Sequence, residues 1–227
     1  MNKIVEAFSD PAHVARYTDG PPKMVPGYAS MQRMTTLLLA EHVPEQGHVL
    51  VLGAGGGLEL KAIAEAQPRW NLHGVDPSKE MLHLAEQVLG SPSSRITLQQ
   101  GLIDDAPVGP FDGATCLLTM HFLPMAERRR TAAAVRRRLK PGSPFVVAHL
   151  SIPDNEGDRS LWLSRYASFG IASGIEPEKA EMAKTGIGEQ LPILTPEQDE
   201  TILRESGFSH VSLFYVGFTF RGWVAYA

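Results

Sequence analysis

Two hydrophobic rhythms alternate along this chain. Short unbroken apolar runs of strand length are separated by longer stretches whose apolar residues recur every three or four positions. Residues 29–42, ASMQRMTTLLLAEH, predict an amphipathic helix with Met31, Met34, Leu37 and Leu38 on its apolar side. VLVL at 49–52 lies between Gly47 and Gly53, and such a run fits a strand buried on both faces. Leu58 to Gln67 is rich in helix formers and stops at Pro68. NLHGVD (71–76) predicts a second strand, and Asp76-Pro77-Ser78 opens a helix over Lys79 to Leu89. RITLQQ (95–100), FDGATCLLTM (111–120) and SPFVVAHL (143–150) predict three more strands, with a helix over Met125 to Leu139 between the last two.

Strands alternating with helices specify an α/β fold: a doubly wound, mostly parallel sheet with helices on both faces. Residues 1–28 read as irregular, broken by Pro11, Pro21, Pro22 and Pro26. Residues 153–195 interrupt the rhythm with helix-like pieces around LWLSRYASFGIASG and PEKAEMAKTG. The rhythm resumes at TPEQDETILRESG, where Thr195 caps a helix, Pro196 starts it and Gly207 stops it. VSLFYVGFTFRGWVAYA predicts two strands around Gly217, paired antiparallel because no crossover helix separates them. The expected organisation is one domain over 1–227, with 1–28 and 153–195 as lid and substrate elements.

At 227 residues the chain fits one elaborated domain, large enough to need no disulfide or metal staple. With 43% hydrophobic and 20% charged residues it is none of collagen-like, disordered or disulfide-rich. No apolar run reaches the roughly 18 residues of a membrane span. Residues 1–17 carry Glu6, Asp10, His13 and Arg16 and do not read as a secretory signal, so the cytoplasm is the expected compartment. The single cysteine, Cys116, forbids an internal disulfide. A net charge of −4 argues against a nucleic-acid-wrapping surface, and the scattered histidines offer no metal-ligand spacing.

The candidate chemistry lies where the first strand ends, in Gly53-Ala54-Gly55-Gly56-Gly57. In an open parallel sheet ligands bind beyond the carboxyl ends of the strands. A glycine loop there lets ligand atoms approach the backbone closely. Asp76 closes the second strand about 20 residues on, where a carboxylate can accept hydrogen bonds from ribose hydroxyls. Each such bond contributes roughly 1.5–3 kcal/mol. A dinucleotide fingerprint wants a third glycine where this chain has Leu58, so the pattern suits an adenosine cofactor without a pyrophosphate.

VLVLGAGGGLE, VDPSKEML, FDGATCLLTMHFL and RRRLKPGSPFVV resemble the successive motifs of class I S-adenosylmethionine-dependent methyltransferases. The resemblance covers residues 25 to 227. It implies a seven-stranded sheet with the last strand antiparallel, and S-adenosyl-L-methionine as cofactor. VPGY at 25–28, HFLPMAERR and SGF before an aromatic strand pair are similar to the carboxy-S-adenosylmethionine synthase branch, which further implies a homodimer. There a VPGY tyrosine contacts the methionine end of the cofactor, and Tyr28 matches it. The cofactor set so implied is Tyr28, Gly53, Ala54, Gly55, Asp76, Pro77, Met81, Leu102, Ile103 and Leu117. Three departures stand out. The branch has an acid directly after the glycine that follows its third strand, whereas Gly101 here precedes Leu102 and Ile103, with Asp104 one step later. Its fourth-strand asparagine corresponds to Leu117. Its arginine for the extra carboxylate corresponds to Ile202, and Arg204 is turned about 200° away along a helix. An apolar side chain there would strand a charge, which favours ordinary S-adenosylmethionine.

Methyl transfer is an in-line displacement on a sulfonium carbon, so positioning and water exclusion are the protein's main tasks. An oxygen nucleophile also calls for a base. His121, after the fourth strand, and His149, at the end of the fifth, are the candidates, each with packing as the plainer alternative. Tyr17, Trp162, Arg165 and Tyr166 are candidate acceptor-pocket residues, although Trp162 and Tyr166, four apart, equally suit a core stripe. Arg128, Arg129, Arg130, Arg136, Arg137 and Arg138 read as a solvated helix face paired with acids, the sharper alternative being a tRNA or acidic-partner contact. The expected function is methyl transfer to a small-molecule acceptor. Its rivals are a carboxy-S-adenosylmethionine synthase-like role in tRNA wobble modification, a non-catalytic cofactor-binding protein and a nicotinamide-dependent oxidoreductase.

Overall fold

The computed structural model describes residues 8–90, 94–153 and 158–227. Among them one sheet carries the fold, built from β1 (His48–Leu52), β2 (Asn71–Asp76), β3 (Ile96–Gln100), β4 (Gly113–Leu117), β5 (Pro144–Leu150), β6 (Ser209–Gly217) and β7 (Phe220–Tyr226). The strand order is β3-β2-β1-β4-β5-β7-β6. Strands β1 to β5 pair in parallel, and β7 runs antiparallel to both β5 and β6. The chain leaves β1 toward β2 and β3 on one side and returns to β4 on the other. The carboxyl ends of β1 and β4 therefore flank the switch-point crevice at which such sheets bind ligands.

The helices are α1 (Pro11–Val14), α2 (Gly20–Met24), α3 (Tyr28–Ala40), α4 (Leu58–Ala66), α5 (Lys79–Leu89), α6 (Met125–Arg138), α7 (Asp158–Ala172), α8 (Pro177–Gln190) and α9 (Pro196–Glu205). The described part of the N-terminal segment, residues 8–28, is not irregular. Pro11 starts α1, where the Asp10 side chain accepts from the Ala12 amide at 2.9 Å, and Pro21 and Pro22 lie in the first turn of α2. A helix's first amides have no intrahelical acceptor, so a proline there loses nothing and acts as a starter. In α3 the inward face is Met31, Thr35, Thr36 and Leu39, while Leu37 is 57% exposed. Thr36 satisfies its hydroxyl on the Gln32 carbonyl at 3.0 Å, which lets a polar residue sit inside. Strand β4 stops at Leu117; Leu118 turns left-handed (φ 55°) and a short 3-10 turn, Met120–Phe122, follows. At α9, Thr195 and Gln198 close a reciprocal capping box.

Two of the six arginines of α6 are not on a solvated face. Arg128 is 1% exposed and donates to Asp199 Oδ1 at 2.7 Å, the Leu123 carbonyl at 2.9 Å and the Pro192 carbonyl at 2.7 Å. His149 Nε2 lies 3.1 Å from the same Asp199 oxygen, so α6, α9 and β5 meet on one carboxylate. Burial alone would raise the Asp199 pKa, but His149 and Arg128 hold it below the ordinary carboxylate range. Arg138 is also buried, and its guanidinium donates to the Ala134 and Pro107 carbonyls. Arg129 and Arg130 do stay outside, paired with Glu205 and with Glu127 and Asp104.

The described parts of the N-terminal segment and of the 153–195 insertion meet. Met24 packs on Gly170, and Val25 shares one apolar cluster with Leu163, Tyr166, Leu191, Ile193 and Phe220. Residues 1–7 and 154–157 of these two elements lie outside the described residues.

Arg128→Ala removes one partner of a buried charge and leaves Asp199 only His149 beside it, which costs about 3–5 kcal/mol. A urea denaturation midpoint lowered to match is the expected result, whereas Arg137→Ala on the exposed side of α6 leaves the midpoint within about 0.5 kcal/mol of the parent.

Candidate functional site

The loop after β1 has a shape only glycine supports. Gly53, Gly55 and Gly57 take φ of +76°, +49° and +81°. A Cβ on Gly53 would collide with the Thr119 side chain, and one on Gly57 would lie 2.8 Å from the Ala85 backbone on α5. The Gly53 and Ala54 amides both donate to the Val75 carbonyl, at 2.8 and 3.0 Å, and fold the loop against the end of β2. Asp76 then fastens it: Oδ2 accepts from the Gly55 amide and Oδ1 from the Ser78 amide, each at 2.9 Å. Ser78 caps α5 through the Met81 amide at 3.1 Å. Burial raises the Asp76 pKa, and the two amides oppose that rise. One bond per oxygen thus goes to backbone, and each oxygen keeps a second acceptor site for hydroxyls.

Beside this loop is a narrow cleft of about 20 Å³, room for little more than one water molecule with the side chains as they stand. Tyr28, Gly53, Ala54, Gly55 and Leu117 from the expected cofactor set line it, together with Tyr17. The Tyr17 ring packs against Gly56. Its hydroxyl is pushed up to about 12 by burial, with the Asp76 and Glu59 charges adding to the effect. Tyr28 Oη accepts from Gln32 Nε2 at 2.9 Å, and burial pushes its pKa up as well. Met81 is buried near Gly55, and Pro77 sits exposed at the rim, its carbonyl accepting from Gln100.

Two polar lining residues, Gln32 and Glu59, escaped the sequence reading. Gln32 falls on a helix whose inward face was misassigned. Glu59 stands in the first turn of α4, where an acid is ordinarily explained by the helix dipole. Its signal was position: Glu59 and Ile63 are four apart on the buried stripe of α4, which also carries Leu60 and Ala64. Glu59 is 7% exposed, its Oε1 is without a hydrogen-bond partner, and burial pushes its pKa up to about 8.

The segment after β3 is arranged differently from a direct adenine clamp. Leu102 is 52% exposed and its amide is tied to Asp105 Oδ2 at 2.8 Å. Ile103 is in the core, and the Asp104 carboxylate is engaged by Arg130 on the surface. The two candidate bases are not on the cleft wall. His121 is buried, and its Nδ1 accepts from the Leu150 amide at 3.3 Å. Burial, then His149 and Arg128, hold it well below the ordinary histidine pKa, so it is neutral with its proton on Nε2. His149 Nε2 lies against Asp199 Oδ1 at 3.1 Å, and the ring packs on Trp223, ring centres 5.6 Å apart. Its chemistry is therefore absorbed by the scaffold. In the insertion, Tyr166 is buried and packs on Phe220, ring centres 6.1 Å apart. Arg165 and Arg221 approach the Trp162 ring at 4.3 and 5.8 Å. Trp162 joins the apolar cluster that contains Tyr28, Leu117 and Leu118 of the cleft. Among the described residues no three His, Cys, Asp or Glu side chains gather as a metal site.

Residues 50–145 match the family described as a methyltransferase domain. Over its whole length the chain is 27% identical to the carboxy-S-adenosyl-L-methionine synthase of Chromohalobacter salexigens, covering 85% of that protein. The solved magnesium protoporphyrin IX methyltransferase of Synechocystis PCC 6803, with bound S-adenosylhomocysteine, shares the fold at a TM-score of 0.61 and 15% identity. That match covers 88% of this chain and 83% of that one. Human N-acetylserotonin methyltransferase, solved in complex with S-adenosylmethionine, shares it at 0.68 and 16% identity over 96% of this chain. The chain spans only 57% of the human structure.

Gly53→Ala combines left-handed strain with the Thr119 collision. It is expected to lower stability by about 1–3 kcal/mol in thermal or denaturant unfolding. An unchanged midpoint would show that the loop can open at no cost.

Proposed function

We infer that this chain, a class I S-adenosylmethionine-dependent methyltransferase, moves the methyl group of S-adenosylmethionine to a small-molecule acceptor. The observation that carries this is the glycine loop fastened by its own amide to Asp76 at the switch point of the sheet. The residues present fit the cofactor. The free acceptor sites of Asp76 suit two ribose hydroxyls, and the loop offers bare backbone beneath them. Tyr28, Leu117 and Met81 supply walls, and the exposed Pro77 and Leu102 with the buried Ile103 form the rim on the adenine side. When bound, the cofactor supplies the electrophilic methyl. The chain's work is then to orient the acceptor and keep water out.

Tyr17 and the N-terminal segment form one wall of the acceptor space, and Trp162, Arg165 and Tyr166 of the insertion form the other. The apolar cluster shared by the two elements supports their common role as a lid. His121, neutral and bonded to the Leu150 amide, holds the turn after β4 in place. An acceptor that arrives already deprotonated, or whose nitrogen or sulfur is nucleophilic at neutral pH, needs no more. An acidic net charge, with Arg129 and Arg130 of α6 paired to acids, speaks for a small acceptor and against nucleic acid. No helix of the described residues is long and apolar enough to cross a membrane, and the cytoplasm is the compartment we assign. A homodimer is part of the same proposal, supported by exposed Leu213, Val216 and Phe218 at and beside the edge strand β6.

A carboxy-S-adenosylmethionine synthase-like activity is the alternative, favoured by the named relative that matches the whole chain. Its ligand would carry an additional carboxylate. Ile202, at the position implied for the partner arginine, is 4% exposed in the core, and Arg204 pairs with Glu200 at 2.8 Å on the surface. That geometry weighs toward the ordinary cofactor.

Asp76→Ala removes two charge-assisted acceptors, each contributing about 1.5–3 kcal/mol. Calorimetric titration with S-adenosylhomocysteine is expected to show at least a 100-fold loss of affinity, with thermal unfolding confirming a folded variant. Undiminished affinity in Asp76→Ala would contradict the assignment.

A further inference from the structure

The cleft contains one acid that neither the sheet nor the loop employs. Glu59 projects from α4 among Tyr17 of the N-terminal turn, Tyr28 of α3, and Thr115 and Cys116 of β4. All four neighbours are uncharged at neutral pH, and Asp76 beyond Tyr17 is an acid. Among the described residues no lysine, arginine or histidine forms an ion pair with Glu59. The Thr115 hydroxyl faces it and offsets part of the effect of burial, but Thr115 Oγ1 and Glu59 Oε1 make no hydrogen bond of ordinary geometry. A carboxyl so placed stays protonated in the empty protein, because an unpaired charge in an apolar site is costly. Burial pushes its pKa up to about 8.

Resting on the cofactor assignment above, we propose that Glu59 receives the α-ammonium of the cofactor's amino-acid end and releases its own proton as that group binds. The ammonium brings a positive charge and three donors. Among the described residues Glu59 is the one carboxyl lining the cleft, and Asp76, beside the loop, already gives each of its oxygens to a backbone amide. The proton balance is simple: the ammonium keeps its hydrogens, and the carboxyl hydrogen of Glu59 passes to solvent. Glu59 is then a carboxylate only when the site is filled, so the empty protein carries no stranded charge.

The test is calorimetric titration of the full chain and of Glu59→Gln with S-adenosylhomocysteine and adenosine, and of the full chain with S-adenosylmethionine. Buffers of different ionisation enthalpy count the protons exchanged. For the parent protein and S-adenosylhomocysteine, about nine-tenths of a proton is released at pH 7, and affinity rises close to tenfold from about pH 6 to 7. Adenosine, which lacks the ammonium, exchanges no proton. Glu59→Gln abolishes the proton release, weakens S-adenosylhomocysteine about tenfold or more at pH 7, and leaves adenosine unchanged. Binding of S-adenosylhomocysteine to the parent without proton exchange would overturn the proposal, and this measurement needs no variant. Unaltered affinity and proton count in Glu59→Gln would overturn it as well. Proton release with S-adenosylmethionine but not with S-adenosylhomocysteine would set the sulfonium against Glu59 and overturn the ammonium assignment. Failure of S-adenosylhomocysteine and adenosine to bind the parent would instead overturn the cofactor assignment, and this role with it.

Discussion

One carboxylate organises the ligand edge of this protein. Asp76 ends β2, and its two oxygens take the Gly55 and Ser78 amides. The first bond holds the glycine loop in its left-handed turns, and the second sets the start of α5. Loop, strand and helix therefore meet at a buried charge that hydrogen bonds keep from being stranded. The same arrangement leaves Asp76 able to accept further hydrogen bonds from outside. A residue that only bound ligand could vary in position with the loop. A residue that also builds the loop delivers its remaining acceptors in a fixed place.

The second constraint lies on the opposite side of the sheet centre. Arg128, Asp199 and His149 join α6, α9 and β5 at one buried oxygen. This pins α9 under the sheet, and α9 leads into β6 and β7. Because β7 pairs antiparallel with β5, its first residues, Phe220 and Arg221, arrive beside the carboxyl end of β5. There Phe220 meets Tyr166 of the insertion. The insertion is thus seated by packing that the far ion pair holds in register. His149, which by sequence is a base candidate, is one of the groups that do the holding.

The fold was legible wherever local signals agreed with burial. Strand β2 and helix α5 begin and end where Asn71, Asp76, Ser78 and Gly90 say they should. Glycines around VLVL and the Asp-Pro-Ser opening each have one structural solution. Legibility failed where a residue's usual environment was overridden by a partner distant in sequence. Arg128 reads as solvated until Asp199, 71 residues away, is brought to it. Thr35 and Thr36 read as the polar side of α3, yet they face inward while Leu37 does not. Pro11, Pro21 and Pro22 read as breakers because the helices they start are too short to show a period. In the site, the glycine loop and Asp76 were visible as a motif. Glu59 was not, because an acid in a first helical turn has an ordinary explanation and its isolation appears only when α3, β4 and the N-terminal turn close around it.

The central claim is that this cleft is built for an adenosyl sulfonium cofactor. The most direct measurement is native mass spectrometry of the freshly purified protein, followed by release and identification of any retained small molecule. The expected result is a bound species with the mass of S-adenosylmethionine or S-adenosylhomocysteine. A retained nicotinamide dinucleotide would contradict the claim. A carboxylated S-adenosylmethionine would keep the cleft but move the activity to the synthase alternative, and would require a cation other than residue 202 to face the added carboxylate.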